Sequence, residues 1–256
     1  MHENAIIQHL NGKFLSIDTD AVGESVSGLR RGHDTTVPSP VVTDDFAPHP
    51  LTLTTADGLS LEAELTVPAR ADAAVVLCHP HPQQGGTMTS LVTSELFRLL
   101  PESGLAVLRF NFRGVGKSEG SHEFGVGEAT DIVAAIDAIT VECPSLPVFV
   151  SGWSFGADTS LSIVDPRIAA WVACAPPLRI LPLDELTAEA GNDPRPKLLI
   201  IPEHDQFRNP ASAIEATAAW ANTTVVTVAG ADHLFVGRTN KVAKLVVDFI
   251  QAQITT

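Results

Sequence analysis

From Leu51 the chain alternates apolar and polar residues as L-T-L-T-T-A-D-G-L-S-L-E-A-E-L-T-V, and the alternation breaks only at Asp57-Gly58. Period two about an Asp-Gly pair predicts a β-hairpin. The apolar run Ala73 to Cys78 reads as a buried strand, and after Gly85-Gly86 the residues Leu91, Val92, Glu95, Leu96, Leu99 and Leu100 recur at helical spacing. A second such unit pairs a strand over Leu105 to Phe110 with a helix over Glu128 to Thr140, whose apolar face is Ala129, Ile132, Val133, Ile136 and Ile139. Further strands are expected at Val148 to Ser151, Ala169 to Cys174, Lys197 to Ile201 and Thr224 to Val228. Pro210, preceded by Asn209 as cap, opens a helix carrying Ile214 and Ala218, and a last helix starts near Arg238 with Val242, Leu245, Val246, Phe249 and Ile250 on one face. Strands separated by helices imply βαβ units, a mostly parallel sheet with helices on both faces, and ligands just beyond the strands' carboxyl ends.

Residues 1–48 do not share this pattern. One apolar patch, Ala5 to Leu15, precedes a Gly, Ser, Thr, Asp and Pro-rich run without sustained periodicity. We read 1–48 as an N-terminal extension (a short hairpin laid on the domain, a flexible tail, or sequence upstream of the functional start) and 49–256 as one α/β domain.

Composition narrows the function. A chain of 256 residues with 45% apolar and 18% charged residues builds one substantial core. Its 30 acidic residues against 16 basic ones give a formal charge of -14, which repels phosphate backbones and argues against nucleic acid. Cys78, Cys143 and Cys174 are odd in number and sit in or beside apolar runs, so they read as core residues in a reducing compartment and not as a disulfide framework. With no signal-like start and no stretch of roughly 20 apolar residues, no membrane span is expected and the cytoplasm is the default.

Residues 148–156, V-F-V-S-G-W-S-F-G, run a buried strand into Gly152-Trp153-Ser154-Phe155-Gly156. In a G-x-S-x-G elbow the serine sits on a sharp strand-to-helix turn, with glycines where side chains would collide. Ser154 is the expected nucleophile. Its base must come from another strand end: His233 lies in the loop after the last strand, and Asp205 just past the strand before it, giving the order Ser, Asp, His. Glu203, His204 and Asp232 compete for these roles; position past the strand end favours Asp205.

The early loop V-V-L-C-H-P-H-P-Q-Q-G-G has only one non-proline amide between Pro80 and Pro82, that of His81. With the amide of Phe155 it supplies the expected oxyanion hole. The His79-x-His81 pair also invites a metal site, but no matching ligand pair follows, so no metal is expected and His79 is read as shaping the loop. Gly116-Lys117-Ser118 resembles the end of a phosphate loop, yet Asn111 stands where its first glycine belongs, which argues against nucleotide binding and for no cofactor. Arg113 is read as tying neighbouring loops together, with contact to an anionic substrate as the alternative.

With these segments placed, H-P-H-P, R-F-N-F-R-G-V-G-K-S, G-W-S-F-G-A and D-H-L-F together resemble the α/β-hydrolase superfamily, and within it small serine hydrolases related to dienelactone hydrolases and esterases. The resemblance spans roughly residues 50–252. It implies the α/β-hydrolase fold, an antiparallel start to the sheet, and Ser154, Asp205 and His233 as triad. Dienelactone hydrolases proper use cysteine where this chain has Ser154, so their substrate does not carry over. About twenty residues separate the strand ending at Cys174 from Lys197; they hold a short helix near Asp184 to Ala190 but only a minimal cap. An open site follows, with Leu178, Ile180 and Leu181 near its rim and His79, Trp153, Arg113, Leu178 and Ile180 as candidate pocket residues. The expected function is carboxylesterase-like hydrolysis of small or medium acyl esters through an acyl-enzyme on Ser154. Thioester or amide cleavage by the same triad, and a catalytically silent binding module of this fold, are the alternatives. Oligomeric state does not follow from the sequence.

Overall fold

The computed structural model describes residues 7–9, 46–179 and 189–255, the first three as backbone only. Strands β1 (Ile7–His9), β2 (His49–Thr54), β3 (Ser60–Thr66), β4 (Ala73–Cys78), β5 (Leu105–Phe110), β6 (Val148–Trp153), β7 (Ile168–Cys174), β8 (Lys197–Pro202) and β9 (Thr223–Val228) form one sheet in the order β1-β9-β8-β7-β6-β4-β5-β3-β2. Strands β4 to β9 pair in parallel, while β2 and β3 add an antiparallel hairpin at one end and β1 pairs antiparallel with β9 at the other. The expected hairpin turn is closed by the Gly58 amide on the Thr55 carbonyl (2.9 Å) and the Leu59 amide on Thr55 Oγ1 (2.9 Å).

Helices α1 (Leu91–Leu99), α2 (Val126–Glu142), α3 (Phe155–Leu161), α4 (Glu189–Asn192), α5 (Pro210–Ala216) and α6 (Thr239–Ile254) cover both faces. The central strands β4 and β7 are therefore apolar throughout and β6 is so but for Ser151, because each side of the pleat is buried. On β4, Ala74, Val76 and Cys78 join the core under α2, α3 and α5, while Ala73, Val75 and Leu77 join the core under α1 and α6. Helix α2 begins two residues before its expected start: Gly125, at φ 96°, turns the chain, and Glu128 reaches back to accept from the Gly125 amide at 2.8 Å.

Of the expected patch 5–15, only β1 belongs to the described residues. The expected helix at 184–190 is likewise seen only from Glu189, in α4. The segment from β7 to β8, residues 175–196, is too short for an extensive cap, so the α/β-hydrolase fold is a minimal one. Among the described residues no helix is long and apolar enough to cross a membrane.

Candidate active site

Ser154 stands between β6 and α3 at φ 54° and ψ −117°, a left-handed conformation that a residue bearing a side chain holds only under constraint. Its amide donates to the Cys174 carbonyl of β7 at 2.9 Å. A Cβ on Gly152 would overlap the backbone of Gly156, and one on Gly156 would overlap the carbonyls of Cys78 and His79. Both flanking glycines are thus required by close backbone approach, between the turn's two limbs and between α3 and β4.

The loops after β8 and β9 converge on this serine. His233 Nε2 lies 2.9 Å from Ser154 Oγ, and His233 Nδ1 lies 2.9 Å from Asp205 Oδ2. Asp205 Oδ1 accepts the amides of Phe207 (2.8 Å) and Arg208 (3.3 Å), which fixes the carboxylate in its own turn. The competing residues are engaged elsewhere. Glu203 accepts the Gly230 amide at 2.7 Å, His204 is exposed, and Asp232 caps its turn through the amides of Leu234 (3.0 Å) and Val236 (3.4 Å).

Trp153 is buried, and its indole Nε1 donates to the His233 carbonyl at 3.0 Å. It braces the histidine loop instead of lining a pocket. Phe207 packs edge-on against the His233 ring at 4.5 Å. Sequence reasoning missed Phe207, although its place two residues after Asp205 was a usable signal.

His81 and Phe155 come together, with ring centroids 5.0 Å apart, and among the described residues neither backbone amide donates to a protein acceptor. These are the two amides that the sequence proposes for an oxyanion hole. Burial holds the His81 imidazole below its usual value, in keeping with a neutral ring whose Nδ1 accepts the Gln83 amide at 3.2 Å.

His79 is fully buried; Nδ1 donates to the Pro80 carbonyl at 2.6 Å and Nε2 accepts the Phe112 amide at 3.0 Å. Both nitrogens serve the backbone, so His79 shapes the loop and has no face for a substrate or metal. Asn111 links the same loop to the hairpin, accepting from the Met88 amide (2.8 Å) and donating to Glu62 (2.8 Å). Arg113 also leaves the list of pocket residues. Its side chain is 1% exposed and contacts Asp131 (2.8 Å), Asp57 (3.1 Å), Glu123 (3.1 Å) and Thr130 (2.7 Å), tying hairpin, loop and helix together.

Leu178, expected at the rim, is buried in the core; its amide and that of Arg179 donate to Asp158 (2.9 and 3.0 Å) at the start of α3. Arg208 holds the same stretch through the carbonyls of Pro177 (3.1 Å) and Leu178 (3.3 Å). Ile180 and Leu181 lie outside the described residues. Exposed apolar side chains near the site come from elsewhere: Leu234 and Val236 beside His233, and Phe124 and Val126 at the start of α2. Their surface loops gave no periodic signal.

A parallel sheet with a serine on a strained elbow, an imidazole on its hydroxyl and a carboxylate behind the imidazole defines a serine-dependent α/β-hydrolase, with esterase-like function. The chain belongs to the family described as serine aminopeptidase, S33, which it matches over residues 69–255. It is 30% identical over 202 residues to an uncharacterized protein of Rickettsia prowazekii (strain Madrid E), covering 73% of this chain and 82% of the relative. Among solved structures, an α/β serine hydrolase homologue from Coxiella burnetii superposes with a TM-score of 0.68 at 30% identity, covering 78% of this chain and 96% of that one. A Xanthomonas campestris protein described as an α/β serine hydrolase without lid gives 0.68 at 27% identity, over 77% and 90% of the two chains.

Proposed function

We propose that the chain hydrolyses small or medium acyl esters, with Ser154 as nucleophile, His233 as general base and Asp205 as the group that orients it. The 2.9 Å approach of His233 Nε2 to Ser154 Oγ carries this reading. Ser154 Oγ bonds to the acyl carbon as its proton passes to His233 Nε2, and the carbonyl π pair moves onto oxygen to face the His81 and Phe155 amides. Collapse restores the carbonyl and breaks the ester C–O bond, and the alcohol leaves with the proton from His233. Water then repeats the sequence on the acyl-enzyme, giving the acid and free Ser154. Asp205, accepting from Nδ1, selects the tautomer with a bare Nε2 and stabilises the imidazolium that forms.

Thiol chemistry is disfavoured: Cys78 and Cys174 are buried, and burial pushes the Cys174 thiol up to about 12. The short β7–β8 segment and the apolar side chains of Leu234, Val236, Phe124 and Val126 favour compact acyl groups over long ones. Residues 49–256 form the hydrolase domain in this reading and 1–48 the extension. The formal charge of -14 and the buried free cysteines favour a cytoplasmic enzyme acting on small molecules and not on nucleic acid.

A panel of matched ester, thioester and amide substrates tests the reading, with wild type and Ser154→Ala compared. Ester turnover is expected to be fastest and to fall on the order of 10⁴-fold or more in the variant. A fluorophosphonate probe should label wild type at Ser154. Unchanged ester turnover in Ser154→Ala, or no labelling at neutral pH, overturns it.

A further inference from the structure

His122 stands beside the two oxyanion residues with an incomplete set of partners. Its side chain is 6% exposed, and its ring meets those of His81 at 4.9 Å, Phe124 at 4.9 Å and Phe155 at 5.4 Å. Nδ1 approaches Glu128 Oε1 at 2.7 Å, off the line of a straight hydrogen bond. Glu128 is itself fully buried and accepts the amides of Glu123 (3.0 Å) and Gly125 (2.8 Å). Among the described residues Nε2 is buried with no hydrogen-bond partner. A polar atom left unsatisfied in the interior is destabilising, and an apolar ring of the same shape would fit this aromatic cluster at no such cost. A bound substrate is one source of the missing partner.

Strand order says which part of the substrate that is. His233 follows β9 and His122 follows β5, on opposite sides of β6, whose end carries Ser154. The leaving oxygen must face His233 to receive its proton, which leaves the side of β6 that carries His81 and His122 to the carbonyl oxygen and the acyl chain. Phe124, 70% exposed and held at φ 54°, packs its ring against that of His122 at 4.9 Å. Strain on an exposed aromatic residue is the kind of feature that persists at ligand clamps.

The chemistry of the pair sets the complementary group. A carboxylate that accepts from two amides presents acceptor oxygens to Nδ1, which favours the tautomer with its hydrogen there and a bare, accepting Nε2. We propose that His122 selects the acyl group by accepting a hydrogen bond at Nε2 from a hydroxyl on a short acyl chain, the exposed Phe124 side chain moving off the imidazole to admit that chain and packing over it. Short hydroxyacyl esters are then the preferred class. This rests on Ser154 being the nucleophile.

Methyl butyrate, methyl 2-hydroxybutyrate and methyl 3-hydroxybutyrate, followed by acid release, test the proposal once each kcat/KM is normalised to the ester's rate of alkaline hydrolysis. Wild type is expected to favour at least one hydroxy ester by about tenfold, the worth of roughly one well-made hydrogen bond. In His122→Phe that ratio falls to about one, while His122→Gln, which keeps a polar end, retains part of it. A ratio unchanged in His122→Phe, through equal loss on all esters or no loss, overturns the proposal and leaves His122 as a brace. No preference in wild type overturns it too. An independent reading needs no substitution at His122: in histidine-¹⁵N-labelled Ser154→Ala, the preferred hydroxy ester should displace the His122 Nε2 resonance and methyl butyrate should not. Equal displacement by both esters, or by neither, counts against it. Absence of Ser154-dependent turnover of all three esters defeats the nucleophile assignment itself, a result distinct from turnover without selectivity.

Discussion

The indole of Trp153 donates to the backbone carbonyl of His233 across 3.0 Å, so the residue before Ser154 holds the loop that carries His233. This contact spans 80 residues and joins the same two segments as the Ser154–His233 hydrogen bond. It sets the position of the imidazole before any substrate arrives. Trp153→Phe keeps the ring and leaves that carbonyl without its donor. A lost buried hydrogen bond of roughly 1.4 kcal/mol, felt at the reacting pair, lowers kcat/KM by about tenfold. Steady-state ester kinetics check this, and a variant with wild-type kinetics would free Trp153 of the bracing role.

Asp205 and Glu203 make a sharper contrast, since both follow β8 and only one reaches the imidazole. Asp205→Asn presents an amide in place of the Nδ1 acceptor, so the ring is expected to adopt the wrong tautomer and kcat to drop on the order of 10⁴-fold. Glu203→Gln touches the Gly230 amide and the exposed His204 ring, neither of which reaches His233, and should stay within about twofold, as exposed polar substitutions usually do. Equal losses in the two variants, measured on one ester at neutral pH, would reassign the carboxylate.

Much of this was legible before any coordinates. The strands read clearly because burial on both faces makes them continuous apolar runs, and Ser154 read clearly because steric demands on Gly152 and Gly156 leave a local signature. What the sequence hid depends on distant partners. Arg113 had two readings until its carboxylates, from positions 57, 123 and 131, were seen to converge on it. Trp153 and Leu178 were assigned to the pocket because nothing local distinguishes an apolar side chain that faces a substrate from one that faces the core. His122 went unnoticed for the same reason: the Glu128 that approaches it is six positions away, across the turn that starts α2.

Arg113 and Asp131 form the most deeply buried ion pair among the described residues, their side chains 1% and 0% exposed. Burial pushes the Asp131 carboxyl above its usual range, and the guanidinium opposes that shift. Arg113→Met therefore leaves an unpaired buried carboxylate and should destabilise the fold by roughly 3–5 kcal/mol. The partners Asp57 and Glu123 are half exposed and contribute little. Adding Asp131→Leu to Arg113→Met should recover much of the loss in urea denaturation. No recovery would place the arginine's importance in its other contacts.

His79 gives the fold a sensitivity to acid that can be separated from general protonation of carboxylates. Burial takes its pKa from the ordinary 6.5 down to about 4, and protonating Nε2 would also break its bond from the Phe112 amide. Between those values the unfolded chain binds a proton that the folded chain does not. Stability therefore rises with pH across this window and falls as pH drops from 6.5 towards 4. At about 1.36 kcal/mol per unit, the loss attributable to this one ring approaches 3 kcal/mol at the bottom of the window. His79→Asn removes the titrating group, so although the variant starts from lower stability, its urea midpoint should decline less steeply between neutral pH and the lower end of the window. The carboxylates common to both proteins cancel in the difference of slopes. Parallel curves for the two proteins would mean that His79 takes up its proton in the folded state, and that the loop under the oxyanion amides tolerates a charged ring.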